Sequence, residues 1–398
     1  MIPSCMIILA TTLGIIQNCT SLFVPEICSA LSVSRTKAQL LFTFFSIGSV
    51  IASLLSTVVY EKYKPGKVMK VAVLFLAPLY YLNGIATSII QHYIIAFLVG
   101  FIQTYITMLP ITLIVSNWFV SNKGKIIGIT LMGSSLGGAI FNKVAGKMIV
   151  NLGYQATYRV LAIIMLVCTI PITYFVIRDN PYEMGLEPYG NNTKQETVVV
   201  KKKIKDYALS DLKKQPLFWM FMCSLTLSSI AGINANTTVS PHLVSLGYGT
   251  EKAASVVSIV MLSMTAGKYI LGAIFDKLGT KKGLIFSQLF LCLTFVSLIL
   301  ARNSIFIVLV IIGVGLGGVL VTVGYPLIVE STFGRKDYAA IFGLVNAFQQ
   351  AGNMLASVVT GLSFDKYGSY NPAFVLLIIV TVISTIIILL TNKKYQNV

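Results

Sequence analysis

The sequence predicts an all-α polytopic membrane protein with twelve transmembrane helices in two six-helix halves. Three observations predict it. The 398 residues are 56% hydrophobic and only 11% charged, with a mean hydropathy of +0.84. Soluble chains carry about 25% Asp, Glu, Lys and Arg, so a soluble enzyme is excluded at the outset. The basic residues crowd into short segments between apolar runs, and the sequence repeats itself at one fixed offset.

Crossing a hydrocarbon core of about 30 Å takes roughly 20 apolar helical residues, because backbone polar groups find no water there. The first such segment, 5–29, lacks a cationic start and a small-residue cleavage site, so it reads as a retained span rather than a removed signal peptide. The second, 39–60, stops at Glu61 and the cluster Lys62, Lys64, Lys67 and Lys70. Segments 68–88, 92–116, the glycine-rich 125–150 and 157–178 complete a first half, 1–178. A polar stretch, 179–215, containing Pro181, Pro188, Asn191-Asn192 and the run Lys201, Lys202, Lys203 and Lys205, reads as a cytoplasmic linker. The second half, 216–398, supplies 217–240, 252–275, 283–301, 304–329, 338–362 and 372–391.

Thirty basic against thirteen acidic residues could suggest nucleic acid, but their distribution argues for topology instead. Placing the loops after even-numbered helices and both termini on one face collects 21 of the Lys and Arg there, against six opposite. The richer face is expected to be cytoplasmic. The expected location is therefore a plasma membrane with both termini inside, the partners are the lipid bilayer and a small solute, and nucleic acid is not a partner. A monomer is expected. The six cysteines sit in apolar runs without CxxC spacing or an adjacent His, so no metal, disulfide framework or cofactor is expected. His92 and His242 are far apart, there is no HExxH, and no Asp pair lies within the helices, which excludes intramembrane protease chemistry.

At an offset of 215 residues, Glu61-Lys62 falls on Asp276-Lys277, Lys67 on Lys282, and Gly100, Gly128, Gly137, Gly146 and Gly153 on Gly315, Gly343, Gly352, Gly361 and Gly368. A duplicated six-helix unit is an organisation expected of secondary transporters. After the second helix of the second half stands G-x-x-x-D-[RK]-x-G-x-[RK]-[RK], as Gly272, Asp276, Lys277, Gly279, Lys281 and Lys282. With this motif the chain resembles the major facilitator superfamily, which implies alternating access and a conformational switch at these residues. The first-half copy is degraded, with Thr57 for the first Gly, Glu61 for Asp and Lys64 for the second Gly; Glu61 and Lys62 are its switch residues.

Further fragments resemble the oxalate/formate antiporter and monocarboxylate transporter branch. They are Ser21-x-Phe23, Glu61-Lys62-x-x-Pro65, Asn117-Trp118-Phe119 with Lys123-Gly124-Lys125, Pro181-x-Glu183-x-Gly185-Leu186-x-Pro188-x-Gly190, and Gly267-Lys268. The resemblance implies transport of a small organic anion.

Lys268 stands eight residues before Asp276, about 12 Å along a helix and so near the bilayer centre. An ammonium there costs at least ~2.5 kcal/mol unless paired or wetted. A carboxylate substrate would pair it, and the resembled transporters carry a basic residue at this position. The bland alternative is a lysine held by carbonyls or snorkelling along its helix. The second cation of the oxalate carriers, a Lys in helix 11, is not present here; its place falls at or beside Gln349, so a monocarboxylate or a zwitterion is expected in preference to a dianion. Lys143, eight residues before Asn151, is a second candidate cation, or a snorkelling one. Gln17, Asn18, Tyr105 and Asn346 are candidate orienting groups, and helix glue is the alternative for each. Met264 stands where proton-coupled monocarboxylate carriers place an Asp, so exchange or facilitated diffusion is expected in preference to proton symport. A carrier of another polar solute, or a non-transporting sensor of the same fold, remains the alternative.

Overall fold

The computed structural model describes residues 1–190 and 206–396. Asn191-Asn192 and the run Lys201–Lys205 lie outside the described residues. The helices are α1 Ile2–Leu31, α2 Arg35–Lys62, α3 Pro65–Leu82, α4 Ile89–Trp118, α5 Lys123–Leu152 and α6 Tyr154–Val176. They continue with α7 Pro216–Thr237, α8 and α9 within Thr250–Ile299, α10 Ser304–Phe333, α11 Tyr338–Tyr367 and α12 Asn371–Gln396. Gly279, at φ 80°, separates α8 from α9, a conformation that L side chains rarely adopt. Twelve membrane helices result among the described residues, as the hydropathy pattern predicts.

Local chemistry fixes many of the ends. Pro65 opens α3, where its missing N–H is not needed. Ser88 and Gln91 form a capping box at α4, and the Asn303 side chain accepts from Ile305 N at α10. Gly153 and Gly368, a pair matched by the repeat, both have positive φ at helix boundaries.

By contacts the chain forms two compact units. One is Met1–Val120 with Ile129–Pro188; the other is Ser121–Gly128 with Tyr189–Val398. The division falls at Pro188, inside the linker, and the first turn of α5 belongs with the second unit.

Within the first unit, a Cβ on Gly100 of α4 would strike the Phe45 carbonyl of α2, and one on Gly137 of α5 would strike Ala10 of α1. Within the second unit, Gly315 of α10 lies against Ser263 of α8, and Gly352 of α11 against Thr226 of α7. These are the same helix pairs at the same offset. Where lipid removes the hydrophobic drive between helices, close backbone approach at glycine replaces it. At Gly146 and Gly361, also matched by the repeat, an added Cβ would meet only open space among the described residues. Glycine in α5 is therefore not uniformly a packing surface.

Both α4 and α10 are interrupted. In α4 the residues Tyr105–Thr107 leave the helix, and the Gln103 carbonyl accepts from Ile106 N, Thr107 N and Thr107 Oγ1. In α10 the helix gives way after Gly317, and Leu320–Gly324 form a π turn. The offset of 215 carries 105–107 onto 320–322, so the interruption is part of the repeat.

The glycines provide a paired test. Gly137→Val should destabilise the purified protein by about 1–3 kcal/mol through overpacking against α1. Gly146→Ala should be neutral or stabilising by up to about 1 kcal/mol, because it removes helix-interior glycine entropy without a clash. Thermal unfolding in detergent distinguishes them.

Candidate functional site

Lys268 is buried, with 3% of its surface exposed. Two glycines bring backbone to its level. Gly267 beside it packs on the Gly315 carbonyl of α10, and the Lys268 carbonyl meets Gly128 of α5. α8 is therefore clamped on both sides at the level of the lysine, which fixes the backbone from which its side chain leaves.

One turn further on, the intact motif becomes a helix cap. Gly272 and Gly124 lie in mutual close approach, which lets the Asp276 carboxylate reach the start of α5. Its Oδ1 accepts from Gly124 N at 2.8 Å and its Oδ2 from Lys125 N at 2.7 Å. These N–H groups are among the four that no helix can satisfy internally at its own beginning, and the negative charge also suits the positive helix end. Lys125 Nζ stands 5.4 Å over the Tyr269 ring. Lys123 Nζ pairs with Glu330 Oε1 at 2.6 Å, and Arg335 Nε reaches the same oxygen at 2.6 Å. With the Lys123 and Glu330 side chains only 13% and 16% exposed, this pair is shielded from the screening that weakens surface ion pairs. Lys277, Gly279, Lys281 and Lys282 are exposed and make the turn between α8 and α9.

In the first unit Glu61 and Lys62 are both exposed at the end of α2. The buried carboxylate there is Asp179, which accepts from Gly66 N at 2.6 Å, at the first turn of α3. Burial raises its pKa above the usual carboxylate range, partly opposed by that hydrogen bond. The Asn117 and Trp118 side chains donate to the Asp179 and Arg178 carbonyls, and Lys64 pairs with Glu183 at 2.9 Å. The hydrogen bond from Lys64 holds the Glu183 carboxyl below its ordinary range, but the pair is exposed and contributes little to stability. Asp179, Lys123 and Glu330 are not among the site residues expected from the sequence. The adjacent Pro181 turn and the fragment Lys123-Gly124-Lys125 were the available signals.

The remaining candidates are placed as follows. Asn18, half-buried, donates to Ser134 O at 3.1 Å between α1 and α5. Gln17 beside it is exposed. Tyr105 is buried at the interruption of α4 and donates to Ala52 O at 2.9 Å. Lys143 is exposed on α5. Gln349 is buried and Asn346 half-buried on α11, whose main partner is α7, whereas Lys268 lies between α10 and the start of α5.

The sequence profile described as Major Facilitator Superfamily matches residues 6–326 and again 249–397. The chain belongs to that superfamily. Among curated relatives, a hexuronate transporter of Bacillus subtilis is 22% identical over 385 residues, covering 90% of this chain and 86% of its own length. An uncharacterized MFS-type transporter of Escherichia coli, YhjX, is 21% identical over 331 residues, covering 82% and 78%. Among solved structures, the Major Facilitator Superfamily transporter FucP in the outward conformation superposes with a TM-score of 0.72 at 11% identity, covering 98% of this chain and 99% of the other. That likeness establishes the fold alone. Together the profile and the relatives make the protein a multi-pass membrane protein and a secondary transporter, which separates it from the enzymes.

Asp276→Asn weakens a two-pronged cap, an interaction class worth about 0.5–2 kcal/mol. A cysteine introduced at Ser121, which precedes α5, should then react several-fold faster with a membrane-impermeant maleimide than in the parent bearing Asp276. An unchanged labelling rate would refute a holding role for Asp276.

Proposed function

We propose that the protein carries a small organic anion with a single carboxylate, and that the Lys268 ammonium holds that carboxylate. The burial of Lys268 in the interior of α8 carries the reading. A cation retained inside a membrane helix despite its solvation cost is a functional site by default. The relative named a hexuronate transporter supports the class, since a hexuronate is a carboxylate.

Exchange or facilitated diffusion is the mode that the acidic residues support. A proton-coupled carrier needs a carboxylate free to take up and release a proton beside the substrate. Position 264, one turn before Lys268, is Met, and Glu330 on α10 is engaged by Lys123 and Arg335. A plasma-membrane location with both termini in the cytoplasm follows from the asymmetry of basic residues on this reading. Asp276 and the start of α5 serve as the switch, because a contact present in one conformation biases the equilibrium by its own free energy.

Purified protein in liposomes preloaded with lactate, formate, pyruvate or oxalate, and with a neutral solute as control, should show accelerated uptake of a labelled monocarboxylate by counterflow. Lys268→Gln should reduce that uptake at least tenfold while folded protein remains in the membrane. Lys268→Arg, which keeps the charge and changes its shape, should retain part of it. Wild-type rates in Lys268→Gln would sink the assignment, and absence of counterflow with every solute would favour a sensor.

A further inference from the structure

Lys268 answers the charge of a carboxylate and leaves the remainder of the solute unrecognised. A second set of polar groups at the same depth stands on α11. Lys268 lies ten residues before residue 278, about 15 Å from that end of α8, and Gln349 lies eleven residues into α11, about 16 Å from Tyr338. Because successive helices alternate in direction, these two ends are on the same side. α7 joins the two helices: it packs along α11, and its Ile230 and Ala235 share a buried apolar cluster with Ala253, Val256 and Val260 of α8.

At 3.6 residues per turn, Asn346, Gln349, Gln350 and Asn353 fall in one arc of about 100°. Leu355, Val358 and Leu362, all at least half exposed, mark the lipid-facing side, and the centre of the amide arc lies roughly 160° away from it. These four amides lower the hydropathy of a helix that must nevertheless cross the bilayer. They are not all consumed by packing. Asn353 Nδ2 donates to Gln350 Oε1 at 2.7 Å, but Gln349 Oε1 and Asn353 Oδ1 are buried with no donor among the described residues. By contrast Asn234 of α7 is fully used, its Nδ2 on the Ile230 carbonyl and its Oδ1 accepting from Thr360.

Buried carbonyl oxygens without a donor need a ligand that brings one, and a bare carboxylate brings none. We propose that the amide arc of α11 binds hydroxyl groups of the transported anion, so that the substrate class is a hydroxylated carboxylate. The proposal rests on the assignment of Lys268 to the carboxylate. A hydroxyl both donates and accepts, so it satisfies an amide in either orientation. An ammonium only donates and needs a counter-charge, and α11 carries no acid between Tyr338 and Leu362. The hydroxyl is therefore preferred to the amino group.

The test is a competition series of equal carbon number against counterflow of labelled glycerate: propionate, lactate, glycerate and alanine. Inhibition constants should fall from propionate to glycerate by about tenfold, the effect of one or two net hydrogen bonds. Gln349→Leu and Asn353→Leu should collapse that ratio toward unity, chiefly by raising the glycerate constant. Gln349→Met, which keeps length and flexibility, should behave as Gln349→Leu does, and a melting curve for each variant confirms the fold. If all four acids compete equally in the parent protein and Lys268→Gln abolishes competition, the amide arc does not read hydroxyls while the carboxylate assignment stands. Alanine competing best would overturn the hydroxyl in favour of an ammonium. If no carboxylate competes and Lys268→Gln changes nothing, the carboxylate assignment itself fails and the hydroxyl proposal with it.

Discussion

Every backbone N–H and C=O in the hydrocarbon layer must find its partner inside the protein, and most of this structure follows from that constraint. It makes the spanning elements helices. It also turns the small polar residues inward on their own helices: Thr11 bonds to the Ile7 carbonyl, Thr12 to Ile8, Thr169 to Met165 and Ser229 to Leu225. Such hydroxyls are satisfied before any neighbour is considered. The longer polar side chains of α11 are not all satisfied in this way, since Gln349 Oε1 and Asn353 Oδ1 are buried with no donor among the described residues. Asp276 and Asp179 each sit at the first turn of a helix, where the backbone donors have no partner within their own helix.

The two carboxylates also account for the asymmetry of the repeated motif. In the second unit the acid comes from the end of α8, and the spacing Gly272-x-x-x-Asp276 provides the close backbone approach that lets it reach the Gly124 and Lys125 amides. In the first unit the acid that caps a helix, Asp179, comes from the segment after α6 and serves α3. Glu61 is left exposed and Thr57 replaces the glycine. A position that no longer holds a capping acid has no need of a glycine before it.

The number of helices and the duplication were legible in the sequence because hydropathy and glycine position are direct statements about lipid and close packing. Lys268 was legible for a related reason: a lone charge in an apolar run needs no partner information to be noticed. The rest depended on contacts distant in sequence. Lys123 and Glu330 are 207 residues apart, and each alone looks like an ordinary charge at a helix end. Gly146 and Gly361 matched at the offset as well as Gly137 and Gly352 did, yet among the described residues a Cβ would strike a neighbouring helix at the latter pair and not at the former. The interruption of α4 was hidden because Tyr105-Ile106-Thr107 contains no Gly or Pro to mark it. The matching interruption of α10 had a visible cause in Gly317 and Gly318.

Those two interruptions give each half a compliant joint at an equivalent level. A continuous helix resists bending because flexure must stretch i to i−4 hydrogen bonds on its outer side. At Tyr105–Thr107 and at Leu320–Gly324 the regular ladder has already been exchanged for turn and π bonds. Gly100 and Gly315, each a few residues before a joint, pin the preceding rods to α2 and α8. The fourth helix of each half is therefore two rods, the proximal one held at its glycine contact and the distal one meeting it where the regular ladder is broken.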